Sequence, residues 1–308
     1  MNAQLESFYK EYFKYLPEGY DDVFILHANS GEIYVFLAYL AKACIKKSNS
    51  TNPLFVATKP YHTDIINLFF PKSRSVYYDM YLKEPRLNLF NDTWEYNGHK
   101  FWQIFSQRHF NTVNSNLGSI HYFDAMLNTL GLTINEASKP IVKLPSKAKK
   151  NVQKIASDLQ LNLDKFVILA PEASTVNLLP TSLWKTLLKE LYKNGYDVFL
   201  NTTSNKYDFN CKRVDISYMD LFALATYAKG IISLRSGLTE FLIPTKTKNI
   251  ALCSRFHWSP TLTAEQCIRA YTMMKLPYID KDTNIEINAD LYKSDYELTD
   301  KIMSCLKV

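Results

Sequence analysis

Glycine is scarce: 8 in 308 residues, none of them in a GxG pair. A dinucleotide fingerprint and a P-loop both need clustered glycines for a backbone to approach a pyrophosphate, so dehydrogenase and NTPase readings weaken. Paired cysteines are missing too. Cys44, Cys211, Cys253, Cys267 and Cys305 are odd in number, far apart and without a CxxC, which indicates neither a disulfide framework nor a zinc site. No apolar run reaches the roughly 18 residues that span a bilayer. The opening mixes Glu6, Lys10, Glu11 and Lys14 with aromatics, unlike a signal or transit peptide, and a cytoplasmic protein is expected. Metal ligands are equally sparse: His62, His99, His109 and His121 lack ligand spacing. The single DxD, Asp280-Lys281-Asp282, follows an expected helix and not a central strand, so it reads as a surface loop. A net charge of +6 and a pI near 8.8 suit anionic ligands, with lysines concentrated only at Lys143, Lys147, Lys149 and Lys150. Peripheral association with the inner face of a membrane stays open, while nucleic acid is disfavoured because no face or helix gathers the basic residues.

What is present is apolar and aromatic side chain, 47% and 14% of the chain, enough for two cores at this length. A short aromatic-rich helix is followed by Val23-Phe24-Ile25-Leu26, an apolar run stopped by Asn29-Ser30-Gly31, as in a buried strand. Ile33, Phe36, Leu37, Leu40, Ala41 and Cys44 then repeat at helical spacing, and Lys46-Lys47 complement the helix dipole. Strands at 54–57 and 75–78 flank a helix at 61–70, so the first half opens β-α-β-α-β and implies a parallel sheet. The aromatics between Lys83 and Leu117 show no clean period. After a helix ending at Gly131, the Pro140 to Lys150 stretch reads as the linker, dividing the chain into domains 1–145 and 146–308.

The second half repeats the grammar, with strands at 166–170, 197–200, 231–234 and 249–253. Leu298, Ile302 and Leu306 form a stripe on a terminal helix that could pack back on the first domain. The fold class is therefore α/β, with two Rossmann-like domains. The most informative turn runs from Ile231-Ile232-Ser233-Leu234 into Arg235-Ser236-Gly237-Leu238-Thr239-Glu240. A helix opening there offers unpaired N–H groups and a positive dipole end to a phosphate, beside Arg235. An ordinary strand-to-helix connection capped by Ser236 fits the same residues.

Three features resemble the lipopolysaccharide heptosyltransferase-like family, within the GT-B glycosyltransferases (glycosyltransferase family 9 group). They are Ser30-Gly31-Glu32, where the family has Gly-Asp; Ala170-Pro171-Glu172-Ala173-Ser174-Thr175 with Pro180 and Trp184; and Asp220-Leu221-Phe222-Ala223-Leu224-Ala225 leading to Leu234-Arg235-Ser236-Gly237-Leu238. Arg235 replaces a family acid, Glu240 stands in a His region, and a family lysine before the Trp-Pro pair is absent. The resemblance implies two domains facing each other across a cleft, the first for acceptor and the second for nucleotide sugar.

It also implies inverting, metal-independent transfer of a sugar from a nucleotide-diphosphate donor to a hydroxyl of a bacterial surface polysaccharide, capsule or lipo-oligosaccharide acceptor, with no cofactor. Ser174, Thr175, Ser217, Tyr218, Arg235, Ser236, Gly237, Leu238 and Thr239 are then expected around the nucleotide sugar. Glu32 is expected to be the general base, against the alternative of a first-turn carboxylate satisfying the dipole. His27, Ser30, Gly31, Arg255, His257 and Trp258 would border the cleft. Two rival readings share the architecture: a nucleotide-sugar epimerase-like enzyme and a non-catalytic nucleotide-binding module.

Overall fold

In the computed structural model, which describes residues 3–13, 19–79, 93–104, 119–202, 204–257 and 261–307, the chain divides into units Met1–Lys143 and Leu144–Val308. The first begins with α1 (Ala3–Tyr12) and β1 (Asp22–Leu26). Every residue of β1 is buried, as an uninterrupted apolar strand covered on both faces must be. α2 (Ser30–Val35) runs through a wider π turn at Phe36–Leu40 into α3 (Ala41–Ser48), so the single helix expected from the spacing carries one distorted turn. β2 (Leu54–Ala57), α4 (His62–Phe69) and β3 (Arg74–Tyr77) complete the opening units.

The sheet order is β3-β2-β1, then β5 (His99–Ile104) and β4 (Thr93–Tyr96). Pairing is parallel except between β4 and β5, which makes this sheet mixed where sequence alone implies a parallel one. The reason is a hairpin at Asn97-Gly98, both at positive φ (50° and 77°), the backbone that a two-residue type I′ turn demands. On one face Phe24 stacks with Phe55 at 5.4 Å and Trp102 at 5.7 Å and meets Phe36 of the π turn at 5.6 Å. On the other, Val23, Ile25, Leu54, Val56 and Phe101 share a cluster with Phe8 and Phe13. This two-face alternation is the period of two that sets which element covers which side. α5 (Tyr122–Leu130) ends on Gly131, at φ 62°, as its position after the last apolar residue predicts.

α6 (Ser146–Asp158) opens the second unit inside the segment expected as linker. Ala148, Val152 and Ala156 lie one turn apart and are buried, whereas the lysines between them face solvent, so the lysine density marks an amphipathic helix. β6 (Phe166–Ala170), α7 (Thr181–Lys193), β7 (Asp197–Leu200), α8 (Tyr218–Ala225), β8 (Gly230–Leu234), α9 (Gly237–Phe241) and β9 (Asn249–Cys253) follow, then α10 (Ala264–Tyr271), β10 (Asn284–Asn288) and α11 (Asp295–Lys307). The sheet reads β10-β9-β8-β6-β7, all parallel.

The α11 stripe of Leu298, Ile302 and Leu306 is buried against α7 and β9 within the second unit, which corrects the expectation that it packs back on the first. Gly230 permits this seat: a Cβ there would collide with Leu306 Cδ1. Gly230→Val should therefore cost about 1–3 kcal/mol by overpacking. In urea unfolding, that cost is expected to shrink in a Leu306→Ala background; an unchanged cost would show that the collision is not the cause.

Candidate functional site

Open α/β sheets bind ligands beyond the carboxyl ends of their strands, where strand order reverses. In the second unit the chain goes from β6 out to β7 and returns to β8 on the far side of β6, so the reversal lies between β6 and β8. Ala170 pairs with Ser233, and the loops that follow start side by side. The loop after β6 is held by the loop after β9: the Asn177 N–H donates to the Arg255 carbonyl at 2.7 Å and the His257 N–H to the Thr175 carbonyl at 3.2 Å. Ser254 Oγ adds a bond to the Asn177 carbonyl at 2.7 Å. Ser174 and Thr175 are thus brought together with Arg255 and His257, with Ser174 and His257 exposed and Thr175 half-buried.

At the β8–α9 turn, Ser236 is the N-cap in a reciprocal box with Thr239. The Ser236 N–H donates to Thr239 Oγ1 at 3.2 Å, and that buried hydroxyl also lies 3.2 Å from Ser233 Oγ. The Thr239 carbonyl accepts from Asn249 Nδ2 at 3.0 Å. Thr239 is therefore a brace of the turn, while the amides of Gly237 and Leu238 are those that a helix start leaves without an intrahelical acceptor. Tyr218 meets the Phe241 ring edge-on at 5.1 Å, and Ser217 caps α8 by accepting from the Asp220 N–H at 3.0 Å, which sets both beside α9.

Arg235 differs from its expected task. Its Nη1 donates to Glu240 Oε2 at 2.8 Å and to the Ser236 carbonyl at 3.1 Å, and its Nη2 to Glu240 Oε1 and the Tyr271 carbonyl. Its Nε lies 3.6 Å from Glu286 Oε1. The three side chains are only 11%, 4% and 7% exposed. The guanidinium that sequence places against a phosphate instead joins two buried carboxylates, because an unpaired Glu240 in this interior would be costly. Burial pushes the Glu286 carboxyl above its ordinary range, with Arg235 pulling the other way. Arg255 likewise donates through Nε to Asp290 Oδ2 at 2.8 Å, on the surface. In the DxD loop, Asp280 Oδ1 accepts from the Asp282 N–H at 3.0 Å. His109 and Trp258 lie outside the described residues.

In the first unit the order reverses between β1 and β5. His27 follows β1, Asn29 is the extended N-cap of α2, and Ser30, Gly31 and Glu32 form its first turn, with Gly31 buried and Glu32 half-buried. Lys59, in the connection after β2, donates from Nζ to Asn29 Oδ1 at 3.3 Å. Burial brings its pKa down to about 8, against the opposing charge of Glu32. His62 is wholly buried at the start of α4, neither ring nitrogen having a hydrogen-bond partner. Burial lowers His27 to about 4 and His62 to about 3, with Lys59 adding to both, so neutral imidazoles surround the ammonium. Sequence reasoning missed Lys59; the signal was a lysine directly after a buried strand and before Pro60.

No family model and no curated protein sequence matches the chain. Solved structures do. E. coli heptosyltransferase WaaC with ADP is similar with a TM-score of 0.53 at 12% identity, over 92% of this chain and 99% of that one. E. coli ADP-heptose lipopolysaccharide heptosyltransferase II gives 0.51 at 10%, over 93% and 98%. A family 9 glycosyl transferase from Veillonella parvula DSM 2008 gives 0.50 at 11%, over 75% and 80%. The fold is accordingly the two-sheet α/β architecture of GT-B glycosyltransferases, resembling the heptosyltransferases.

Arg235→Met should destabilise the protein by about 3–5 kcal/mol at neutral pH, because two buried carboxylates lose their shared cation. Glu286 binds its proton more tightly folded than unfolded, so its contribution is present below its ordinary 4.5 and lost as pH rises through the raised value. Denaturant titrations of the variant should therefore recover stability as pH falls toward 4.5. A pH-independent deficit would assign the loss to packing alone.

Proposed function

We propose that the chain is a glycosyltransferase that moves a sugar from a nucleotide-diphosphate donor to an acceptor hydroxyl. The observation that carries this reading is the strand reversal between β6 and β8, which sets the Ser174-Thr175 loop beside the opening of α9, in a fold like that of a heptosyltransferase solved with ADP. Departure of the nucleotide builds negative charge on the β-phosphate. The Gly237 and Leu238 amides, with the Ser174 and Thr175 hydroxyls, are the groups proposed to receive that charge, in place of a metal ion. Ser236, Thr239 and Arg235 keep the turn in shape, Arg235 through Glu240. Ser217, Tyr218, Arg255 and His257 border the nucleotide.

Glu32 is the proposed general base, taking the proton of the acceptor hydroxyl as an oxocarbenium-like carbon is attacked with inversion. The acceptor is proposed to be a bacterial surface polysaccharide, capsule or lipo-oligosaccharide, bound by the first unit near His27, Ser30 and Gly31. Among the described residues no helix is long and apolar enough to cross a membrane. Reaction in the cytoplasm, at the inner face of the membrane, agrees with the net charge of +6. A second reading, a non-catalytic nucleotide-binding module, is favoured by one fact: Arg235 is engaged by Glu240 and Glu286, away from the phosphate role.

Thermal-shift titration against ADP-, GDP-, UDP- and CMP-linked sugars should raise the melting temperature for one base class, in step with affinity. With that donor, Glu32→Gln is expected to keep calorimetric affinity and lose turnover by about 10²–10⁴-fold. Full turnover in the variant would remove Glu32 as base, binding with no turnover by the wild type would favour the module, and inactivation by chelator would overturn metal-independent transfer.

A further inference from the structure

The first unit holds a lysine that the reaction scheme above leaves without a role. Asn29 occupies the N-cap of α2, where an asparagine ordinarily turns its side-chain oxygen onto an amide of the first helical turn. Here it makes no side-chain capping bond, and its Oδ1 accepts instead from Lys59 Nζ at 3.3 Å. The Asn29 carbonyl meanwhile accepts from the Ile33 N–H at 3.1 Å, so the same residue closes the turn that carries Glu32. Lys59 thereby ties the end of β2 to the opening turn of α2, across neighbouring parallel strands whose last residues, Leu26 and Ala57, are paired.

The charges around this tie are few. Among the described residues, the titratable groups that face Lys59 are His27 after β1, Glu32 on α2, and Tyr61 and His62 at the start of α4, with the ammonium 5.7 Å from the Tyr61 ring centroid. Both imidazoles are held neutral by burial. Glu32 is the carboxylate coupled to the half-buried ammonium. Fixed dipoles and a single cation beside a base keep it in its anionic form and restrict its geometry.

Resting on the assignment of Glu32 as base, we infer that Lys59 is a positioning residue: through Asn29 it fixes the first turn of α2, and through its charge it keeps Glu32 in the carboxylate form. Lys59 touches no reacting atom in this scheme. Its removal acts on the rate by way of Glu32. The chemistry is also reciprocal, so the carboxylate must support the protonated form of the lysine to the same degree that the lysine supports the carboxylate.

That reciprocity can be measured without substrate. In intact protein with ¹³C-methylated lysines, the resonance missing from Lys59→Arg identifies Lys59, whose titration is expected near pH 8 in the wild type and at a lower pH in Glu32→Gln. The same midpoint in both proteins would overturn the inference. With the nucleotide sugar selected by thermal shift, Lys59→Met should lower kcat/KM at neutral pH about tenfold and move the acid limb of its pH profile upward by about one unit, without changing donor affinity. Lys59→Arg should hold the limb at its wild-type position. Equal losses in both variants with an unmoved limb would mean a structural role only. If Glu32→Gln turns over at the wild-type rate while the lysine titration still shifts, the base assignment has failed and the Lys59–Glu32 link has not.

Discussion

Parallel strands buried on both faces can be joined only by crossovers that pack helices against the sheet, and this constraint governs both halves of the chain. Each sheet grows outward from its first strand in one direction and then resumes on that strand's other side. β1 leads to β2 and β3 before β5 joins its free edge, and β6 leads to β7 before β8 does. The reversal leaves a gap between connections that no crossover covers. Everything functional in the molecule is arranged at those two gaps: the first turn of α2 with Lys59 in one, the Ser174-Thr175 loop with the start of α9 in the other.

The central strands were legible in sequence because total burial leaves an unbroken apolar run. Phe166–Ala170 and Asn249–Cys253 have the bounds that their composition predicts, and β2 at Leu54–Ala57 likewise. The edges were harder. β10 alternates Ile285 and Ile287 with Glu286, a polar side chain in a short strand, and gives no run to detect. β4 and β5 were hidden in an aromatic-dense stretch whose one clear mark was Asn97-Gly98. α6 was masked by its own solvent face, since lysines at every exposed position look like a linker until Ala148, Val152 and Ala156 are read as a stripe.

Of the site, backbone features were easier to foresee than charge partners. Ser236 before Gly237 announces a capped helix start in any chain, because local geometry alone decides it. The fate of Arg235 could not be read that way. Its partner Glu240 is five residues on, but Glu286 and the Tyr271 carbonyl arrive from β10 and the end of α10, so only the tertiary fold shows that the guanidinium is already engaged. The same holds for Lys59, whose acceptor Asn29 is thirty residues earlier in sequence and one strand away in space. Long-range ion pairs and hydrogen bonds carry no periodicity, and a single sequence is silent about them.

The π turn at Phe36–Leu40 bears on how this fold tolerates change in chain length. Such a turn accommodates an added residue within a helix, letting Phe36 reach the Phe24 ring while Ala41 and Cys44 still face inward. Deleting one residue there would convert the segment to regular helix and rotate all that follows by about 100° about the axis. Cys44 would leave the core, and Lys46 and Lys47 would turn with it. Sequences descended from this one should therefore vary in side chain across Phe36–Leu40 far more readily than in residue count.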